Sequence, residues 1–251
     1  MNTVNRDELA GFLAAELQSD RIRDYCPNGL QVEGKSTIRH LVTGVTASLA
    51  LLEQAAEAGA DAVMVHHGYF WRNEDPRVIG PKYRRLKLLI ESGMNLFAYH
   101  LPLDVHPVLG NNARLGQELG LAADGRFGDN DLGWLGQAPG LHTVGDLAQR
   151  AAGVLKREPL LIGDAQQVLG RVAWCTGAAH SMLDNAIAAG ASVFISGEIS
   201  EPIVHLAREA GVAYLSCGHH ATERYGIQAL GNFVAERFGI RHSFIDVPNP
   251  V

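Results

Sequence analysis

The sequence predicts an α/β protein built from two similar lobes that are related by an internal repeat. Three observations carry that expectation. A series of landmarks occurs twice in the same order, short apolar runs alternate with amphipathic helical patterns, and each copy ends in a histidine followed one helical turn later by a carboxylate.

The first copy opens at Thr43-Gly44, passes through a helical pattern to Ala58-Gly59-Ala60-Asp61, and continues in the apolar run Ala62 to Val65 before His66-His67-Gly68. The second opens at Thr176-Gly177 and passes to Ala189-Gly190-Ala191-Ser192, then Val193-Phe194-Ile195 and Ser196-Gly197-Glu198. One small gap aligns them. Glu91-Ser92-Gly93 then leads through Leu96-Phe97-Ala98-Tyr99 to His100 and Asp104, as Glu209-Ala210-Gly211 leads through Val212-Ala213-Tyr214-Leu215 to His219 and Glu223. Each copy reads strand, helix, strand, helix, strand. Leu49, Leu52 and Ala56, or Met182, Ala186 and Ala189, give the helical spacing, and Gly59 and Gly190 suit the left-handed position that ends a helix. The continuous apolar runs are the pattern of strands buried on both faces by crossover helices. Shared βαβ physics produces the same pattern without duplication, so the repeat is a statement about form. The segment 122–140, rich in Gly, Asp and Asn, reads as a linker. It separates a first lobe at 1–125 from a second at 126–251, with 226–251 free to return to the first.

Composition narrows the function. At 251 residues, 47% hydrophobic and 19% charged, the chain is of ordinary globular make-up. Its longest charge-free stretch, 132–145, is glycine-rich and shorter than the about 20 apolar residues of a membrane span. The first residues, with Arg6, Asp7, Glu8 and Glu16, do not form a signal peptide, so a cytoplasmic location is expected. A net charge of −6 argues against a dedicated duplex-binding surface, although local basic patches stay open. Cys26, Cys175 and Cys217 are an odd number at wide spacings, which suggests neither a disulfide framework nor a thiolate zinc site.

In open α/β sheets, ligands bind beyond the carboxyl ends of the strands. His66 and His67, His100 and Asp104, and His219 and Glu223 all follow expected strand ends, which places a metal site at those ends between the lobes. Imidazole and carboxylate without thiolate suit zinc, manganese or iron(II), and the inventory suffices for two ions. A helix opening near Thr222 puts His219 and Glu223 on one face, and the same holds for His100 and Asp104 unless Pro102 marks the first turn. Independent buried or capping roles are the alternative for each residue alone.

At these residues the sequence resembles the Nif-three-like family of dinuclear-metal-centre hexameric proteins, the GTP cyclohydrolase I type 2 homologues, in its bacterial short form. The resemblance spans nearly the whole chain. It rests on Pro27-Asn28-Gly29-Leu30-Gln31-Val32-Glu33-Gly34, Thr43-Gly44-Val45-Thr46, Val65-His66-His67-Gly68, His100-Leu101-Pro102-Leu103-Asp104 with Gly110-Asn111-Asn112, Ser196-Gly197-Glu198, and Gly218-His219-His220-Ala221-Thr222-Glu223. It implies two divalent ions per chain: His67 and Asp104 on one, His66 and His219 on the other, and Glu223 bridging. His100, Glu198 and His220 are then the catalytic candidates, which orient ligands or handle protons. It also implies a toroidal homohexamer with its metal sites facing an internal cavity.

The function expected is a metal-dependent hydrolase acting on a nucleotide-like substrate, with His100 as the best proton shuttle. The alternative is a hexameric metal-binding or nucleic-acid-associated assembly without substantial catalysis. Tyr69, Phe70 and Trp71 read as a wall or subunit interface more than a base-stacking platform, and Lys82, Arg84, Arg85 and Lys87 as a solvated helix face or a phosphate grip. Trp134 joins the aromatic residues expected at contacts between copies, Cys217 reads as core, and Asn28-Gly29 as a hairpin turn.

Overall fold

The computed structural model describes residues 2–251, and the chain divides into two compact units, Met1–Gly110 with Gly226–Val247 and Asn111–Tyr225 with Pro248–Val251. Residues 111–125 therefore cluster with the second unit, although the sequence pattern assigns them to the first lobe.

In the first unit, β1 (Val4–Asn5) leads into α1 (Arg6–Glu16), whose first turn is capped by the Asn5 side chain. β2 (Gly29–Val32) and β3 (Thr37–Ile38) precede the first copy of the repeat. That copy comprises β4 (His40–Thr46), α2 (Leu49–Glu57), β5 (Ala62–His67), α3 (Gly80–Ser92), β6 (Asn95–Ala98) and the short α4 (Leu101–Val105). β4, β5 and β6 are parallel neighbours, and β2 adds antiparallel to β6. Successive side chains alternate between two cores. Leu41, Met64 and Phe97 join Leu9 and Leu13 of α1, whereas Val42, Val63 and Leu96 join Leu51 and Leu52 of α2 and Leu89 of α3. Burial on both faces explains why these strands read as unbroken apolar runs.

The second unit begins with α5 (Asn111–Leu119), β7 (Ala122–Phe127), β8 (Gly133–Gln137), α6 (Val144–Leu155) and β9 (Leu160–Ile162). The second copy follows as β10 (Val172–Trp174), α7 (Leu183–Ala188), β11 (Val193–Ser196), α8 (Glu201–Ala210), β12 (Ala213–Ser216) and α9 (His219–Thr222). β10, β11 and β12 are again parallel, with β9 antiparallel on β12 as β2 lies on β6. The repeat thus reaches one strand further back than its residues indicate.

Two sequence expectations are corrected here. Segment 122–140 is not a linker, because β7 and β8 form an antiparallel hairpin at the edge of the second sheet. Its glycines serve close approach: a Cβ on Gly136 would run into the backbone of Ala122 and Ala123. Asn28-Gly29 is not a hairpin turn either, since Gly29 opens β2 with φ +112 and β2 pairs with β6.

After the second unit, α10 (Arg224–Phe238) and β13 (Arg241–Phe244) complete the first sheet, where β13 adds parallel to β4. Ile227, Leu230 and Val234 enter the same core as Leu9 and Leu13. His242 on β13 lies over Gly231 and hydrogen-bonds Thr43 Oγ1 at 2.8 Å and Asn232 Oδ1 at 2.8 Å. Burial first, and the neighbouring His40 second, push its pKa down from 6.5 to about 4. The unfolded chain therefore binds this proton more readily than the native one. The contribution of this group to stability is expected to hold above pH about 6.5 and to be lost between there and about 4. Allowing for partial exposure, the loss is on the order of 1 kcal/mol. Thermal melts across that range check it, and His242→Gln should flatten the slope. Among the described residues, no helix is long and apolar enough to cross a membrane.

Candidate metal centre

β5 ends on His66 and His67. Alternation along an extended strand sends neighbouring side chains to opposite faces, yet these two sit side by side at the strand terminus, with ring centroids 4.5 Å apart. His66 is fully buried, and its Nδ1 lies 2.9 Å from the Tyr99 carbonyl oxygen, an acceptor only. That nitrogen therefore carries the proton, and Nε2 presents its lone pair. His67 Nδ1 lies 3.1 Å from Thr46 Oγ1 at the end of β4.

His100 occupies the position before α4, and Pro102 stands in the first turn of that helix. Its ring centroid is 5.1 Å from that of His66 and 5.8 Å from that of His67. Potential ligand atoms of these three histidines all lie within 4.8 Å of one another. Asp104, buried on α4, brings Oδ1 to 3.5 Å from His66 Nε2. A lone pair facing a carboxylate oxygen is unfavourable alone and is relieved by a cation, so the donor set fits a divalent metal.

Sequence reasoning missed Asp24. Its Oδ1 accepts from His100 Nδ1 at 2.8 Å and Tyr25 N at 2.6 Å, and its Oδ2 accepts from Asn28 Nδ2 and the Leu101 N–H, both at 2.9 Å. Burial alone would raise its pKa, but the His100, Asn28 and Tyr25 hydrogen bonds and the His100 charge hold it down at about 2. Asn28, whose Oδ1 also accepts the His100 N–H at 2.8 Å, is thus a clamp on the site. The only sequence signal was position: Asp24 lies a few residues before Pro27-Asn28-Gly29.

In the second unit, α9 and the residue after it place His219 and Glu223 one turn apart. His219 Nε2 lies 3.0 Å from Glu223 Oε2, and its Nδ1 lies 2.6 Å from Glu198 Oε1. Burial would lower the His219 pKa, but Glu223 and then Glu198 raise it to about 9. Glu198 therefore orients His219, the arrangement in which a carboxylate fixes the tautomer of a metal-binding imidazole. Gly177, at φ +69, is required beneath them. Any Cβ there would collide with the Glu223 carboxylate and approach His219 Nε2. Its N–H donates to Thr222 Oγ1 at 3.1 Å. His220 donates its backbone N–H to the Val251 carbonyl and enters no potential ligand group among the described residues.

The other singled-out residues have structural surroundings. Tyr69 is buried, with its hydroxyl donating to the Ala47 carbonyl, while Trp71 packs edge-to-face with His100 at 4.9 Å. Lys82 pairs with Glu74 and Lys87 with Glu91. Trp134 is buried under the Arg126 guanidinium, and Cys217 is fully buried, its thiol pushed up to about 12 by desolvation.

Comparison with known proteins finds relatives that match over nearly the whole chain. The chain is 52% identical over 237 residues to the GTP cyclohydrolase 1 type 2 homolog of Pseudomonas aeruginosa, covering 93% of this chain and 94% of that one. Among solved structures, the structural-genomics protein ybgI, of unknown function, superposes with a TM-score of 0.95 at 46% identity over 99% of this chain and 100% of that one. TTHA1606 from Thermus thermophilus superposes with a TM-score of 0.87 at 34% identity over 99% and 100%. The Duf34/NIF3 (NGG1p interacting factor 3) family pattern matches residues 4–250, and the chain belongs to that family.

Proposed function

We propose that the protein is a dinuclear metal-dependent hydrolase acting on a nucleotide-like substrate. The observation that carries this reading is a shared bracing pattern. His66 and His219 each have Nδ1 engaged by an oxygen acceptor, which directs Nε2 toward a carboxylate, Asp104 in one unit and Glu223 in the other. His66, His67, Asp104, His219 and Glu223 are the ligands in this reading, with Glu223 bridging. Bound divalent ions would lower the pKa of water toward neutrality and stabilise negative charge developing on the substrate. Glu198 holds His219 in register, and His100 and His220 handle protons. The names carried by relatives support the nucleotide as substrate class.

Metal analysis combined with a screen of nucleotides and phosphoesters tests the reading. About two ions per chain are expected, with turnover of at least one substrate that His67→Ala reduces by more than the about 10- to 100-fold that loss of an outer partner of a metal ligand costs. Turnover unchanged in that variant would overturn it. We also propose a cytoplasmic homohexamer. Tyr25, Val78, Ile79, Tyr83 and Ile90 are large apolar side chains exposed on the first unit, a surface that copies of the chain would cover. Light scattering should return about six times the 27.0 kDa chain mass.

A further inference from the structure

We propose that the Arg157 guanidinium, with the backbone N–H of His220 beside it, is the subsite for the phosphate group of a nucleotide substrate, and that the segment Pro248–Val251 occupies this subsite until substrate displaces it. The subsite rests on the nucleotide reading above and supplies its phosphate recognition. Every residue in it belongs to the second unit.

Arg157 is placed by its backbone. α6 ends at Lys156, which takes a left-handed conformation at φ +56, and the side chain that follows reaches the carboxyl end of β12. Ligands gather at such strand ends in α/β sheets. The guanidinium lies over Gly218, where a Cβ would stand 2.7 Å from Nη1, 2.9 Å from Cζ and 3.0 Å from Nε. Gly218, itself at φ +95, thus makes room for a cation one residue from His219.

That cation lacks an anion. Among the described residues no carboxylate pairs with Arg157, and its one side-chain hydrogen bond goes to the Pro250 carbonyl at 2.5 Å. A guanidinium presents a planar fork of donors matched to carboxylate and phosphate oxygens, so a neutral carbonyl uses little of its capacity. The next main-chain oxygen, that of Val251, accepts the His220 N–H at 3.0 Å. The segment therefore offers adjacent oxygens to adjacent donors, as a phosphate group would.

Its hold is slight. Residues 248–251 are all exposed, Pro248 and Pro250 have no N–H to anchor, and the Val251 N–H turns back onto Asn249 Oδ1 at 3.0 Å. A phosphate makes stronger, charge-assisted bonds to the same donors and wins the exchange. The basic run on α3 is the poorer grip, because Lys82 is already paired with Glu74 and Lys87 with Glu91.

Calorimetric titration of the zinc-loaded full-length chain with GMP, and with guanosine as the phosphate-free control, tests the subsite. Deleting residues 248–251 should tighten GMP binding about 3- to 10-fold and leave guanosine unchanged. In the shortened chain Arg157→Ala should weaken GMP binding about 10- to 100-fold, the range that loss of a hydrogen bond to a charged group gives, and Arg157→Lys should recover part of it. GMP affinity indifferent to the deletion or to Arg157→Ala, or equal shifts for guanosine, would overturn the proposal. Should either variant fail to fold, NMR of the native chain decides. Saturating GMP is expected to shift and sharpen the Val251 methyl resonances as the segment leaves, and resonances unchanged from the free chain would sink it. No variant here touches a ligand of the dinuclear reading. Absence of hydrolysis alongside an Arg157-dependent GMP affinity would therefore count against the hydrolase and leave the subsite standing.

Discussion

On the proposed dinuclear reading, Glu223→Gln is expected to cut bound metal from about two ions per chain to one and to abolish hydrolysis while the fold survives. The carboxylate is 3% exposed and stands 3.0 Å from His219 Nε2, so the substitution removes a charge from a nearly dry site without changing its size. A carboxamide cannot balance two cations as a bridging carboxylate does. Elemental analysis and circular dichroism on one preparation check it, and full metal content with an intact spectrum would remove Glu223 from the ligand set. Loss of charge also withdraws the strongest influence raising the His219 pKa, so the variant should hold that imidazole neutral at lower pH than the native chain.

The second large effect comes from a residue with no side chain. Gly177→Ala combines two penalties, a left-handed backbone at φ +69, costing about 1–2 kcal/mol for a residue with a Cβ, and a methyl group pressed into the Glu223 carboxylate. Gly190→Ala is the matched control. It sits at φ +79 with nothing within 4 Å of the added atom, so it incurs the backbone cost alone. Gly190→Ala should lower the melting temperature by about 2–8 °C, and Gly177→Ala, with the steric penalty added, by more. Only Gly177→Ala should also lose metal, with zinc affinity down at least tenfold. Equal metal content in the two variants would show that Glu223 can move aside freely.

How far these features were legible in the sequence depends on the range of the interaction. His66, His67, His100, Asp104, His219 and Glu223 were readable because strand ends and helical spacing are local properties. Asp24 was not readable, because its value lies in a hydrogen bond to a residue 76 positions away, and no local pattern encodes that pairing. The hairpin at 122–137 was missed for a different reason. Gly136 and Gly128 resemble loop residues, but one is there so that two strands can approach and the other supplies φ +75 at the turn. Gly177 was noticed as a repeat landmark, while the steric reason for it appears only once Glu223 is in place.

The route of the chain has a consequence for synthesis. The core of the first unit contains Leu9, Leu13 and Phe97 from its early part and Ile227, Leu230 and Val234 from α10, so everything from Asn111 to Tyr225 is inserted within it. A ribosome delivers residues in order. The inserted unit can therefore bury Trp174, Phe194 and Tyr214 while the host unit still lacks a helix and the β13 edge of its sheet. Until α10 emerges, the face of Met64 and Phe97 has the cover of α1 but lacks Ile227, Leu230 and Val234, and β4 presents an unpaired edge. The half made first is thus the half finished last, and in that interval the nascent chain carries an incomplete core and an open strand edge, both prone to misassociation.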